Sequence, residues 1–203
     1  METTIVYIVD DESGMRKALG RLLKTEGFEV RPCASAQEFL NTYGNHETAC
    51  LVLDVAMPGL DGLALQQELI RTGILLPIVF LTGTGDIPMS VRAVKSGAVD
   101  FLTKPVNDTE LLQSVRAALD LAASRKSETH EIADLTRRHG TLTPREREVM
   151  AHVVSGQLNK QIAGDLGTGE QNIKMHRGRV MEKMGVVSLA DLVRAAERIG
   201  NRK

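Results

Sequence analysis

Through the first 120 residues, short runs of consecutive apolar residues alternate with segments whose apolar positions recur at helical spacing. The runs fall at 5–9 (Ile-Val-Tyr-Ile-Val), 28–30, 51–53, 78–81 (Ile-Val-Phe-Leu) and 101–102, and the helical patterns at 13–26, 35–43, 62–71, 88–96 and from 108 onward. A strand that is apolar at every position suits a parallel sheet covered on both faces, and a helix after each strand supplies the crossover. The pattern therefore predicts an α/β domain, a doubly wound (βα)5 parallel sheet. Past residue 140 no strand pattern returns. Helical patterns at 144–155, 160–166, 170–184 and 189–199 predict an all-α domain of four helices. Between them, residues 124–140 turn polar and charged, with Ile132 and Leu135 the only large apolar residues, and read as a linker compatible with helix. The expected organisation is 1–123, a linker at 124–140, and 141–203.

Two helix starts in the second domain carry local signals. Thr143-Pro144-Arg145-Glu146 places Thr at the N-cap, Pro at the first helical position and Glu at N3, which is a capping box. Asn159 is a cap candidate for the next helix, Gly169 for the third, and Ser188 or Asp191 for the last. On the helix from Glu170, Ile173, Val180 and Met184 share one face, while Gln171, Lys174, Met175, Gly178 and Glu182 point away and His176, Arg179 and Lys183 flank them. A short helix, a tight turn and a longer helix with a polar, partly basic outer face fit a helix-turn-helix.

Composition narrows the classes. No apolar run reaches the length of a membrane span, and acidic residues come early with no basic region ahead of an apolar stretch, so a cytoplasmic protein without membrane contact is expected. The two cysteines, Cys33 and Cys50, are expected to be reduced thiols, and the five histidines show no zinc-ligand spacing. The net charge of -1 conceals an asymmetry: residues 1–124 carry 10 basic and 16 acidic side chains, residues 125–203 carry 15 and 10. An acidic half joined to a basic half is compatible with a regulated nucleic-acid binder. Gly83-Thr84-Gly85 and the segment from Gly156 to Lys160 lack the Gly-Lys-Ser/Thr ending of a phosphate-binding loop and read as turns.

The candidate chemistry sits at the predicted strand ends. Asp10 and Asp11 follow the first strand, Asp54 the third, Thr82 ends the fourth and Lys104-Pro105 follows the fifth. If the first and third strands are neighbours, three carboxylates converge, and a hard cation such as Mg2+ would relieve their repulsion. With a hydroxyl from Thr82 and a cation from Lys104, the set has the parts of a phosphoryl-transfer site.

Asp10-Asp11, Asp54 followed by Met57-Pro58-Gly59-Leu60-Asp61-Gly62, Thr82-Gly83 and Lys104-Pro105 together resemble the receiver domain of bacterial two-component response regulators over residues 3–122. The resemblance implies that Asp54 accepts a phosphoryl group from a sensor histidine kinase. It further implies that Asp11, Asp54 and the backbone carbonyl of Ala56 hold Mg2+, with Asp10 acting mainly through water. Thr82 and Lys104 would bind the phosphoryl group, and Phe101 matches the aromatic switch position. The Lys104-Pro105 bond is left open between cis and trans. Residues 142–150, 156–163, 173–177 and 181–185 resemble the LuxR-type helix-turn-helix, so that the whole chain looks like a regulator of the FixJ/NarL type. Its activity would extend no further than its own phosphorylation and dephosphorylation.

By that resemblance the helix from Glu170 enters the major groove of double-stranded DNA, with Lys174, Met175 and Gln171 toward bases. Asn159, Lys160, Arg179 and Lys183 would lie at phosphates, His176 at a phosphate or packed inside, and Arg177 in a structural place. The last helix would supply a homodimer contact. Phosphorylation would either pair two copies through the face of the fourth and fifth helices or release the DNA-binding domain. Gly169, Asn172 and Gly178 depart from the family pattern, which keeps a second reading open: a phosphorylation-regulated interaction protein whose helix-turn-helix does not read DNA.

Overall fold

A computed structural model of the protein describes residues 4–44, 48–83 and 97–200. The helix expected at 88–96 and Thr84 lie outside the described residues. The chain divides into two compact units, 1–126 and 127–203.

The first unit contains strands β1 (Thr4–Val9), β2 (Glu29–Cys33), β3 (Thr48–Asp54), β4 (Ile78–Thr82) and β5 (Asp100–Thr103), with helices α1 (Ser13–Thr25), α2 (Ala36–Thr42), α3 (Gly62–Arg71) and the first part of α4 (Asp108–Gly140). All strand pairs are parallel, in the order β2-β1-β3-β4-β5. β1 and β3 are thus direct neighbours, and every residue of β3 is buried. Successive strand residues point to opposite faces and build two cores. Ile5, Tyr7, Val9, Leu51, Leu53, Ile78 and Phe80 pack on one side with Phe39 of α2 and Leu65 and Leu69 of α3. Val6, Ile8, Cys50, Val52, Val79 and Leu81 pack on the other with Leu19 and Leu23 of α1 and Leu111, Val115 and Ala118 of α4. Cys33 and Cys50 belong to opposite cores and are free thiols.

Ser35 caps α2 by accepting the Glu38 N–H, and Asp61 caps α3 by accepting the Ala64 N–H at 2.7 Å. In this strand order the parallel chains change direction of winding between β1 and β3, and a doubly wound sheet places its ligand site at the carboxyl ends beside that switch.

The second unit contains the rest of α4, then α5 (Pro144–Val154), α6 (Asn159–Asp165), α7 (Glu170–Met184) and α8 (Leu189–Gly200). Residues 124–140 are helical throughout, because no Gly or Pro interrupts the chain between Pro105 and Gly140 and Asp134 pairs at one-turn spacing with Arg137 and Arg138. Leu135 packs on the core of the second unit with Leu142, Val149, Ile162, Ile173, Val180 and Leu192. The capping box at Thr143 forms, with Thr143 Oγ1 accepting the Glu146 N–H and Glu146 Oε2 accepting the Thr143 N–H at 2.8 Å. Asn159 is the first residue of α6 and not its cap; Gln161 Oε1 instead accepts the N–H of Leu158, which stands in the cap position. No described helix is long and apolar enough to cross a membrane.

Candidate functional site

The parallel sheet brings Asp10, Asp54, Thr82 and Lys104 to one edge, since each stands at or just past the carboxyl end of its strand. Asp10, Asp11 and Asp54 each present a carboxylate oxygen within 4.8 Å of the others, the one such acidic group among the described residues. At that separation two ionised carboxylates repel by about 3–4 kcal/mol at an effective dielectric near 20. Asp10 and Asp54 are almost wholly covered, at 0% and 3% exposure, whereas Asp11 is open to solvent.

Lys104 answers part of this charge. Its Nζ lies 2.8 Å from Asp10 Oδ2 and 3.2 Å from Asp54 Oδ2, with the exposed Glu12 carboxylate at 4.0 Å. Burial opposes the charge on Lys104, but the hydrogen bond and charge of Asp10, and then Asp54, outweigh it and hold its pKa above the ordinary lysine value. Asp54 is pushed the other way: burial raises its pKa, Lys104 lowers it, Asp10 raises it again, and the net shift is upward. A buried carboxylate short of positive charge, beside a second buried acid and an exposed third, is a hard oxygen donor set suited to a divalent cation.

Two further residues, Arg16 and Gly62, shape the site through contacts with the backbone of the acids. Asp10 is held at every polar atom: Oδ1 accepts the Glu12 N–H at 2.8 Å, Oδ2 accepts from Lys104, and its carbonyl accepts from Arg16 Nη1 at 2.5 Å. Gly62, at the start of α3, lies against the backbone of the acid itself. A Cβ there would stand 2.3 Å from the Asp54 carbonyl oxygen. Gly62 ends the stretch Met57-Pro58-Gly59-Leu60-Asp61-Gly62 that carries the family resemblance, but its close approach to the Asp54 backbone, like the Arg16 bond to the Asp10 carbonyl, is visible only in the folded chain.

Thr82 is buried at the end of β4, its carbonyl accepting the Lys104 N–H at 2.7 Å. Ala56 is exposed, and its N–H donates to Asp54 Oδ1 at 3.4 Å. Phe101 is half-buried, its ring 6.0 Å from that of Phe80 between centroids. The Lys104-Pro105 bond is cis.

In the second unit, Ile173, Val180 and Met184 are buried, and Gln171, Lys174, Met175, Gly178, Arg179 and Glu182 are exposed, as is Lys160 on α6. Lys160, Lys174 and Arg179 form no ion pair among the described residues, so their charge is available to an outside anion. Two other residues expected at phosphates are engaged within the fold. Lys183 Nζ donates to the buried Glu146 at 2.6 Å and to the Thr141 carbonyl at 3.3 Å, and Asn159 Oδ1 accepts from Arg177 at 3.3 Å. The Lys183 hydrogen bond, with the Thr143 N–H, holds Glu146 down at about 2. His176 is half-buried, and its Nδ1 is covered with no hydrogen-bond partner among the described residues.

Two protein families match the chain, one in each unit. Residues 6–116 match the response regulator receiver domain family, and residues 140–196 match the luxR family of bacterial regulatory proteins. The chain is a response regulator.

The regulator is 48% identical over 196 residues to nodulation protein W of Bradyrhizobium diazoefficiens, covering 97% of this chain and 86% of that one. It is 43% identical to the response regulator protein TodT of Pseudomonas putida, over 97% of this chain and 86% of the relative. Among solved structures, the response regulator StyR superposes with a TM-score of 0.85 at 41% identity, covering 97% of this chain and 99% of that one. Full-length FixJ from B. japonicum gives 0.57 at 37% identity, with both chains fully covered. The regulator thus has the two-part architecture of a phosphorylation-controlled transcription factor, a receiver joined to a LuxR-type helix-turn-helix.

Proposed function

We propose that this response regulator takes a phosphoryl group onto Asp54 from a sensor histidine kinase and that this modification controls its binding to double-stranded DNA. The observation that carries the reading is the convergence of Asp10, Asp11 and Asp54 around one point with Lys104 3.2 Å from Asp54. Residues 1–123 act as the phosphoacceptor domain and 141–203 as the DNA-binding domain, joined through 124–140. Asp11, Asp54 and the Ala56 carbonyl are assigned to Mg2+, with Asp10 contributing through water; the ion would neutralise phosphoryl charge. The Asp54 carboxylate is the nucleophile, and its burial keeps competing water away.

Lys104 is bonded to Asp10 and Asp54 together, so on phosphorylation it can stay at Asp54 and pair with a phosphoryl oxygen. Thr82 donates its hydroxyl to a second oxygen. The added charge of roughly -1.5 to -2 supplies the electrostatic pull, and Phe101, packed on Phe80 next to Thr82, is the side chain that follows. In the second unit Gln171, Lys174 and Met175 face bases, Lys160 and Arg179 phosphates, with Asn159, His176 and Lys183 at the margin of the contact. Two copies bind as a homodimer.

The test is direct. Acetyl phosphate with Mg2+ is expected to add one phosphoryl group to the wild type, seen as a mass increase reversed by hydroxylamine, and none to Asp54→Ala. Equal labelling of the two would overturn the site assignment. Lys174→Ala in the full chain is expected to weaken binding to a duplex enriched from a random pool and to make its salt dependence shallower.

A further inference from the structure

The recognition helix α7 ends in a way that involves another helix. At its carboxyl end Gly185 adopts the left-handed conformation, φ 66°. Its N–H then reaches the Glu182 carbonyl at 3.0 Å and the Val186 N–H reaches the Met181 carbonyl at 3.0 Å. That leaves the Met184 carbonyl, one of the orphan acceptors of the last turn, to find a donor from outside the helix. Arg138, near the end of α4, provides it: its Nη1 donates to Met184 O at 3.2 Å.

The guanidinium is aimed before it arrives. One turn earlier on the same helix, Asp134 Oδ2 lies 2.7 Å from Arg138 Nε, which fixes the plane of the group and leaves Nη1 free for the carbonyl. Besides its φ, Gly185 leaves room for the guanidinium: a Cβ on it would stand 1.7 Å from Arg138 Nη1, so a side chain there would push the flexible end of Arg138 off the Met184 carbonyl. A positive charge against the last carbonyls also favours the helix dipole. The same segment of chain holds the helix again through Lys183, which donates to Thr141 O and Glu146. Leu135 packs into the core beneath, and Glu131 pairs with Arg198 on α8.

We propose that Arg138 is a positioning residue for DNA binding: from α4 it caps the carboxyl end of the recognition helix and sets how α7 is presented, without touching DNA itself. This rests on the reading of α7 as the DNA-contacting helix. The DNA-binding unit thereby includes residues that precede the helix-turn-helix.

The experiment uses the full chain and a fluorescent duplex enriched by the wild type from a random-sequence pool. Anisotropy titrations give Kd, and a titration at high concentration gives the fraction of active protein. Arg138→Ala is expected to raise Kd roughly fivefold, within the range of coupling through contacts that touch neither ligand. The active fraction stays at the wild-type value, and so does the slope of log affinity against log salt. Arg138→Lys, which keeps a donor for Met184 O but not the fork that Asp134 orients, is expected to recover part of the loss. Gly185→Ala should raise Kd in the wild-type background and raise it by a smaller factor once Arg138 is Ala, because the collision has gone while the strain of the left-handed φ remains.

Three results would overturn the proposal. An unchanged Kd in Arg138→Ala removes the effect, and a salt slope reduced by about one charge makes Arg138 a phosphate contact. A fall in active fraction at constant Kd makes its role one of folding alone. If the wild type enriches no duplex, the DNA-binding reading fails and this proposal falls with it; wild-type binding with an indifferent Arg138 defeats this proposal only.

Discussion

Gly62→Ala places a single methyl group where the structure has no room for it. Gly62 is buried at the start of α3, its N–H donates to the Val55 carbonyl at 3.0 Å, and a Cβ would lie 2.3 Å from the Asp54 carbonyl oxygen, 3.0 Å from Val55 Cα and 3.1 Å from the Asp54 carbonyl carbon. The first of these is roughly 1 Å short of an ordinary carbon–oxygen contact. All three obstacles are backbone, so no side chain can swing aside. Either α3 moves outward from the sheet or the strand end carrying Asp54 moves. Overpacking of this kind costs about 1–3 kcal/mol, and the better helix propensity of Ala returns less than about 1 kcal/mol at a helix start. With about 4 °C lost per kcal/mol for a unit of this size, the receiver transition is expected to fall by roughly 5–10 °C in a calorimetric scan of the full chain.

The site should suffer separately from stability. A 1 Å misplacement at a reacting group can slow a reaction by about a hundredfold, so labelling of Asp54 by acetyl phosphate, measured well below the melting transition, is expected to slow at least about tenfold. A variant that melts within a degree of the wild type and labels at the same rate would refute the claim that Gly62 is there for its missing Cβ.

Other outcomes follow from the same geometry. Lys104→Ala leaves Asp10 and Asp54 facing one another without their shared cation; the apo protein should bind Mg2+ at least as tightly, by calorimetric titration, yet hold the phosphoryl group less productively, so that DNA binding no longer rises on phosphorylation. Glu146 sits at about 2 instead of its ordinary 4.5, so its contribution to stability is complete above pH 4.5 and is lost as pH falls from there toward 2. The melting temperature of the second unit should drop through that window, and Glu146→Gln, less stable at neutral pH, should flatten the drop. A fragment from residue 127 is expected to melt roughly 10 °C above one from residue 141, since the shorter piece loses the packing of Leu135 and the Arg138 hydrogen bond. Burial pushes Cys33 up to about 11 and Cys50 to about 12, so neither should react with a thiol reagent at pH 8 until the protein is unfolded.

The sequence by itself determined the parallel α/β sheet, because continuously apolar strands can be satisfied only when both faces are covered, and the observed β1, β3 and β4 are such strands. It also determined where the acids, Thr82 and Lys104 must emerge, since all parallel strands end on the same side. The start of α5 was legible because a capping box is a local device, and the buried face of α7 because helical periodicity is local as well.

What only the tertiary structure decided are contacts that no helix or strand periodicity encodes. No periodicity says that Arg16 will hold the Asp10 carbonyl, that Gly62 must leave room for the Asp54 backbone, or that Lys183, flanking the outer face on the helical wheel, will turn to Glu146 on another helix. Residues 124–140 show the same division. Their polarity is that of a linker, but one leucine and one arginine in the right turns of a continuous helix suffice to join the second unit, and which surface they meet depends on how α7 and α8 pack. Local free energies write themselves into neighbouring residues; packing free energies appear only when the chain has closed on itself.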